Sequence, residues 1–393
     1  MITNTTNDSR ARLIMLIFFL QPIAFGCWLP RIPDVQEALG LGPAELAVAL
    51  LGMPVGILLT LPFAGRFVAR IGGRATILYG FPVFLGLVWL PAWASGIETL
   101  FLALALVGVA LATLELGLNV MADAIEKRSD RLIMSTCHGF WSLGIMAGSL
   151  VGIGFAAAGA APDVALPAAA AILLPGCLAA ARALPELHAE GSPKERVAIR
   201  RRPPSLVLLG ICLFAFGVTM TEGAVADWSA VFLRDVFAQQ DAAAGFGYSA
   251  FAFMVAAGRF GGDRLKSRYG AVTLARACGV TSIAGLLLVV ASPAVPFALV
   301  GFAATGLGVS VGFPLAVTAA AHQPDRPAAA SVAILSFIAL LGFLLGPPLI
   351  GFVAEYSGMR PGLAMLLPAL AASLAFAGRL RPARSGSAAQ AVA

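Results

Sequence analysis

Glu115 and Asn119 stand four residues apart inside an otherwise apolar run, 100–121. On a helix they share one face. A carboxyl and an amide there can bind hydroxyl groups and hold a proton, because a carboxylate buried without a cation favours its neutral form. An interhelical hydrogen bond would use the same pair. Glu222 and Asp227 stand in a second run, 206–228. Glu222 is the deeper of the two and suits binding or protonation, whereas Asp227 could reach water at its own helix end. His138 and Trp141, three apart, share a face and could contact a solute, with His138 able to pass a proton; a hydrogen-bonded structural histidine reads the same way. Gln21, Phe25 and Trp28 follow at spacings of four and three. They form a polar and aromatic face suited to a sugar-like ring, although lipid-facing aromatics would give the same spacing.

The elements that position these groups are set by composition. The chain is 59% hydrophobic and 12% charged, with a mean hydropathy of +0.91, where soluble domains carry about a quarter charged residues. Twelve apolar runs recur at 13–29, 47–65, 77–93, 100–121, 134–157, 165–181, 206–228, 246–260, 272–291, 296–320, 331–353 and 363–377. Each is near the ~20 residues that cross a bilayer core, and lipid allows only helices for spans of this length. The first is followed by Pro30 and Arg31 instead of a small-residue cleavage site, so it reads as a retained helix. Cys27, Cys137, Cys177, Cys212 and Cys278 lie in apolar runs at no metal-ligand spacing and are expected free and buried. Trp89 and Trp93 fit an interfacial belt.

With both termini cytoplasmic, the inside segments gather every Lys and Arg of the 26 except Arg31, Arg234 and Arg360; Arg259 is counted among the inside residues. That bias fixes an orientation and makes the net charge of +6 a topology signal, with no nucleic-acid partner required. The longest polar stretch separates an N-terminal bundle, 1–184, from a C-terminal bundle, 205–393, through a cytoplasmic linker, 185–204. Two fixed-offset matches support duplication of a six-helix unit. Arg66-Phe67-x-x-Arg70-x-Gly72 recurs 198 positions later as Arg264-Leu265-x-x-Arg268-x-Gly270, and Gly144 and Gly148 recur as Gly342 and Gly346. The helix-five and helix-eleven glycines favour close helix packing.

The loop Gly65, Phe67, Val68, Ala69, Arg70, Gly72, Arg74 resembles the signature between helices two and three of the major facilitator superfamily, Gly-x-Leu-Ala-Asp-Arg-x-Gly-Arg-Lys. The resemblance implies an all-α membrane protein with the major facilitator fold, twelve transmembrane helices in two pseudo-symmetric halves. The signature acid is replaced by Ala69, and the second half keeps Asp263, so the implied cytoplasmic gate falls on Asp263 with Arg66, Arg70, Arg264 and Arg268. Simple positive-inside anchoring is the alternative. Leu114-Glu115-Leu116-Gly117-Leu118-Asn119 resembles the helix-four element of the fucose-permease branch, which implies proton coupling at Glu115 and hydroxyl binding at Asn119. Trp28-Leu29-Pro30-Arg31-Ile32-Pro33, Ser135-Thr136-Cys137-His138-Gly139 and Glu222-Gly223-Ala224-Val225-Ala226-Asp227-Trp228-Ser229 resemble the MosC-like branch. Helices one and seven face each other across the external mouth in this superfamily, which implies an outer gate of Arg31 with Asp227 or Glu222.

The expectation is a monomeric secondary transporter of the bacterial inner membrane, moving a small polar solute (sugar, polyol or cyclitol-like) with protons. A proton-driven exporter of drugs or metabolites is the alternative, favoured by the aromatic content and by Gly346-Pro347 on helix eleven. An enzyme or sensor is disfavoured: the sequence has no HExxH, no paired-metal cluster, no Gly-Lys-Ser phosphate loop and no sizeable soluble domain. No cofactor is expected.

Overall fold

The computed structural model describes residues 2–129, 133–187, 203–238, 241–324 and 326–381. Among them the chain is helical and without strands. Most of the expected linker, and the basic run Arg200–Arg202 within it, lies outside the described residues. Eleven helices are long and apolar enough to span a membrane. In chain order these are α1 (Asp8–Ala38), α2 (Pro43–Ile71), α3 (Gly73–Trp93), α4 (Ile97–Ser129), α5 (Met134–Ala157), α6 (Pro162–Ala183) and α7 (Leu206–Phe237), then, after the next helix, α9 (Ala271–Ala291), α10 (Val295–Ala321), α11 (Ala330–Ser357) and α12 (Met359–Leu380). The twelfth, α8 (Phe246–Tyr269), has 24 residues, about 36 Å of helix. It is less apolar because it carries Arg259, Asp263, Arg264, Lys266 and Arg268.

Several helices outrun their apolar runs. α1 continues past Arg31 to Ala38 through a 3-10 turn at Leu29–Arg31, where Pro30 and Pro33 interrupt the α-helical ladder. α7 continues to Phe237, so Asp227 lies well inside the helix and does not cap its end. α8 runs nine residues beyond the expected 246–260.

The duplication is visible in the packing. Gly144 and Gly148 of α5 lie against the α1 backbone: a Cβ would stand 2.0 Å from the Phe19 carbonyl oxygen and 2.1 Å from that of Ile23. At the equivalent positions, Gly342 and Gly346 of α11 lie against Phe216 and Met220 of α7. Gly72 and Gly270, also 198 apart, both start a new helix at positive φ, 86° and 80°, where a Cβ is strained and glycine is not. The halves meet along α5 and α8, and between α11 and the Pro43–Leu50 turns of α2.

We call the end bearing the α2–α3 and α8–α9 loops the basic end. At the far end the halves are joined by polar contacts. Arg234 of α7 donates to the Pro33 carbonyl and to Gln36 Oε1 (2.8 Å), and Glu355 of α11 accepts from the Ala44 N–H (3.1 Å). Ser149 and Ser249 share a hydrogen bond of 2.9 Å. At the basic end, Arg66, Arg70, Asp263, Arg264 and Arg268 are all exposed. All five cysteines are free, four buried and Cys278 half-buried. Trp89 and Trp93 stack edge to face at the far end, where Trp93 donates to the Asp163 carbonyl.

Candidate functional site

The middle of the bundle is built around a break in α1. Pro22 has no N–H to donate, and the helix is interrupted at Gln21–Pro22 before restarting at Ile23. Gln21 is fully buried there. Its Oε1 accepts from Trp141 Nε1 of α5 at 2.9 Å, while its Nε2 has no partner. One turn from Trp141 toward the basic end, His138 packs edge-on to Phe18. The structure therefore joins Gln21, His138 and Trp141 in one region. Phe25 is half-buried, and Trp28, 1% exposed, is core packing toward the far end and does not line open space in this state.

α4 turns a polar face toward the same space. Leu114 packs on Gly80 and Gly117 on Thr76, so this side of α4 is occupied by α3. Helical periodicity puts Glu115 and Asn119 on the opposite side. Asn119 donates to the Glu115 backbone carbonyl (2.9 Å), and the Glu115 carboxylate has no hydrogen bond among the described residues. Both residues are half-buried.

Glu222 enters from α7, and its partner is one that the sequence reading places elsewhere. Arg259 of α8 donates Nη2 to Glu222 Oε1 (2.7 Å), Nη1 to Ser142 Oγ of α5 (2.6 Å) and Nε to the Ser310 carbonyl of α10 (3.4 Å). Arg259 is thus an intramembrane cation and not a cytoplasmic anchor. It links three helices of one half to Ser142 of the other. A signal existed in the sequence: Arg259 falls inside the run 246–260. The following cluster Asp263–Arg268 makes it read as the start of a loop.

The expected outer pair of Arg31 with Asp227 or Glu222 is not formed. Arg31 is bound to Asp34, on its own helix, and to the Ala160 carbonyl (2.9 Å). Its guanidinium reaches the α5–α6 loop, where Ala160 lies. The far end is instead closed across the halves by Arg234 and Glu355, neither of which the sequence singles out. Asp227 is half-buried and has no hydrogen bond or ion pair among the described residues. The basic-end residues Arg66, Arg70, Asp263, Arg264 and Arg268 likewise make no ion pair with one another here; Arg268 stacks over the Tyr269 ring. Arg74 holds Glu186 and the Arg182 carbonyl.

Glu115, Asn119, Trp141 and Glu222 are half-buried, while Trp28, Gln36 and Tyr248 on the far-end side are buried. The arrangement is a buried polar cluster at the junction of two helical halves, which are joined at the far end by the contacts of Arg234 and Glu355. Eleven long apolar helices around a buried polar cluster define a polytopic membrane protein. The model of the Major Facilitator Superfamily matches residues 14–332, and the chain belongs to that superfamily; it is a transporter and not an enzyme. It is 32% identical over 368 residues to the membrane protein MosC of Rhizobium meliloti, covering 93% of this chain and 88% of the relative. An uncharacterized MFS-type transporter of Yersinia pestis is 31% identical over 365 residues, 91% of this chain and 93% of the relative. Among solved structures, a mutant of the nucleoside transporter NupG superposes with a TM-score of 0.74 at 13% identity, covering 94% of this chain and 98% of that one.

Proposed function

We propose that the protein is a proton-coupled secondary transporter of a small polar solute, sugar-, polyol- or cyclitol-like, working by alternating access across the bacterial inner membrane. The observation that carries this reading is the central polar cluster. An ionisable side chain at membrane depth costs several kcal/mol unless paired or hydrated and marks a pathway. Here Glu115, Glu222, Arg259 and His138 converge with the hydrogen-bonding groups of Gln21, Asn119, Ser142 and Trp141 where the halves meet.

In this reading Gln21, Asn119, His138 and Trp141 bind solute hydroxyls, Phe25 offers a ring face, and Trp28 joins the wall only when the far end opens. Glu115 and Glu222 carry the proton. The exposed Arg66, Arg70, Asp263, Arg264 and Arg268 form the basic-end gate once the halves swing together, while Arg31 and Asp227 act at the far end in a different conformer. The basic end faces the cytoplasm with both termini, consistent with the distribution of arginine, and the protein acts as a monomer of two six-helix bundles, 1–184 and 205–393.

The test is a thermal-shift screen of the purified protein against sugars, cyclitols, nucleosides, amino acids and amphipathic drugs. A ligand that binds only the folded state raises apparent stability. Stabilisation by a polyhydroxylated solute, lost in Asn119→Ala, is the expected result. Hits confined to amphipathic drugs would replace this reading with an exporter.

A further inference from the structure

Each half has a crevice at the basic end, between the start of its third helix and the end of its sixth. In the N-terminal half it lies beside Gly73, Arg74 and Tyr79 of α3 and Glu186 beyond α6. Its cation is neutralised from within: Arg74 donates Nη1 to the Glu186 carboxylate (2.6 Å) and Nη2 to the Arg182 carbonyl (2.9 Å). In the C-terminal half the crevice has a volume of about 210 Å³ and lies between Ala271 of α9, Leu315 and Thr318 of α10, and Leu380 and Arg381 at the end of α12. Lys266 of α8 and His322, just past α10, complete its wall. None of the described residues lining it is acidic.

The charges of this second crevice lack an internal counterion. Lys266 is half-buried, and a cation withdrawn from water is costly unless it is paired. Its ammonium has three protons to donate. It meets one acceptor, Thr318 Oγ1 at 3.4 Å, a long bond to a hydroxyl that itself donates to the Pro314 carbonyl (3.0 Å). His322 Nδ1 is 2.7 Å from the Thr318 carbonyl. A carbonyl only accepts, so Nδ1 carries the ring proton and Nε2 is left over. Arg381 is exposed and makes no hydrogen bond or ion pair among the described residues. Asp263, three residues before Lys266 on α8, is also exposed and pairs with none of these groups.

An ammonium, a guanidinium, a hydroxyl and an imidazole around one small space form a donor set for an oxyanion. The volume is below the ~300–1,000 Å³ of sites for drug-sized molecules, which favours a compact anion. We propose that this crevice is a phosphate site, taking the phosphate group of an anionic ligand where the N-terminal half uses Glu186. Two sources share that chemistry. One is an anionic phospholipid in the leaflet at the basic end, since basic pockets between transmembrane helices hold such headgroups; the other is a soluble phosphate. The site lies within one half, about two helical turns along α8 from Arg259, and does not depend on whether transport is proton-coupled.

The test measures the melting temperature of the full chain in phosphatidylcholine nanodiscs, with phosphatidylglycerol titrated in as the anionic lipid or with inorganic phosphate added. A ligand bound only by the folded protein raises the midpoint. The unsubstituted protein should be stabilised by at least one of the two. The half-maximal concentration should rise roughly fivefold or more in Lys266→Gln and in Arg381→Gln, the factor that one cation near a membrane surface contributes. Lys266→Arg should restore it. Arg12→Gln, which removes an exposed charge from the other half, should leave it unchanged. Thr318→Glu copies the internal acid of the first crevice; it should abolish the response while keeping or raising the midpoint in pure phosphatidylcholine. A response to phosphatidylglycerol that phosphate does not reproduce supports the site and identifies a lipid, and a response to phosphate alone supports it and identifies a soluble anion. No stabilisation by either, or equal weakening in Lys266→Gln and Arg12→Gln, overturns the site.

Discussion

Arg259 and Glu222 are largely desolvated partners, with side chains 13% and 18% exposed, and removing one at a time leaves the other charge stranded. Breaking such a pair from one side costs about 3–5 kcal/mol in buried settings, and partial exposure reduces that. A double-substitution cycle with Arg259→Met and Glu222→Met, read by unfolding in detergent, should give a coupling energy within about 0.5–3 kcal/mol, and additive losses would show that the contact is incidental. Glu115, Asn119, Glu222, Gln21 and Trp141 were legible in the sequence because a polar group in an apolar run is rare and helical spacing says which ones share a face. Arg259 was not, because the charged residues that follow it mimic a loop and only the helix continuing to Tyr269 puts it at depth. Arg234 and Glu355 were hidden for another reason: their partners are a backbone carbonyl, an amide side chain and a backbone N–H in the other half, and such partners leave no trace in residue spacing.

At the scale of elements, the glycines of α5 set how closely it approaches α1. A Cβ at Gly144 would meet the Phe19 carbonyl at 2.0 Å, whereas Gly65 has nothing within 4 Å. Overpacking of this kind costs about 1–3 kcal/mol. Gly144→Ala should therefore lower the melting temperature in detergent while Gly65→Ala leaves it unchanged; equal effects would contradict the close approach. The spacing of these glycines and their recurrence 198 residues later pointed to close helix packing, while the partners, α1 for α5 and α7 for α11, came only from the structure. The lengths of α1, α7 and α8 were less readable, because apolar character ends at the membrane surface while the hydrogen-bond ladder does not.

At the scale of the whole molecule, the far end is shut by a few polar links between halves that meet along the α5–α8 seam. A hydrogen bond from a charged group contributes about 1.5–3 kcal/mol, so loss of the Arg234 contacts to Pro33 and Gln36 should shift the balance toward far-end-open forms by roughly tenfold or more. Arg234→Ala, probed by spin-label distances between Val164→Cys and Phe297→Cys, should lengthen that distance, and an unchanged distribution would place closure elsewhere. In the proposed function, solute movement is coupled to a proton through Glu115. Its most direct test is uptake, into proteoliposomes, of the compound that raises the melting temperature, driven by an imposed proton gradient. The account predicts accumulation in the unsubstituted protein, and in Glu115→Gln loss of accumulation with counterflow exchange retained; full gradient-driven accumulation in that variant would contradict it.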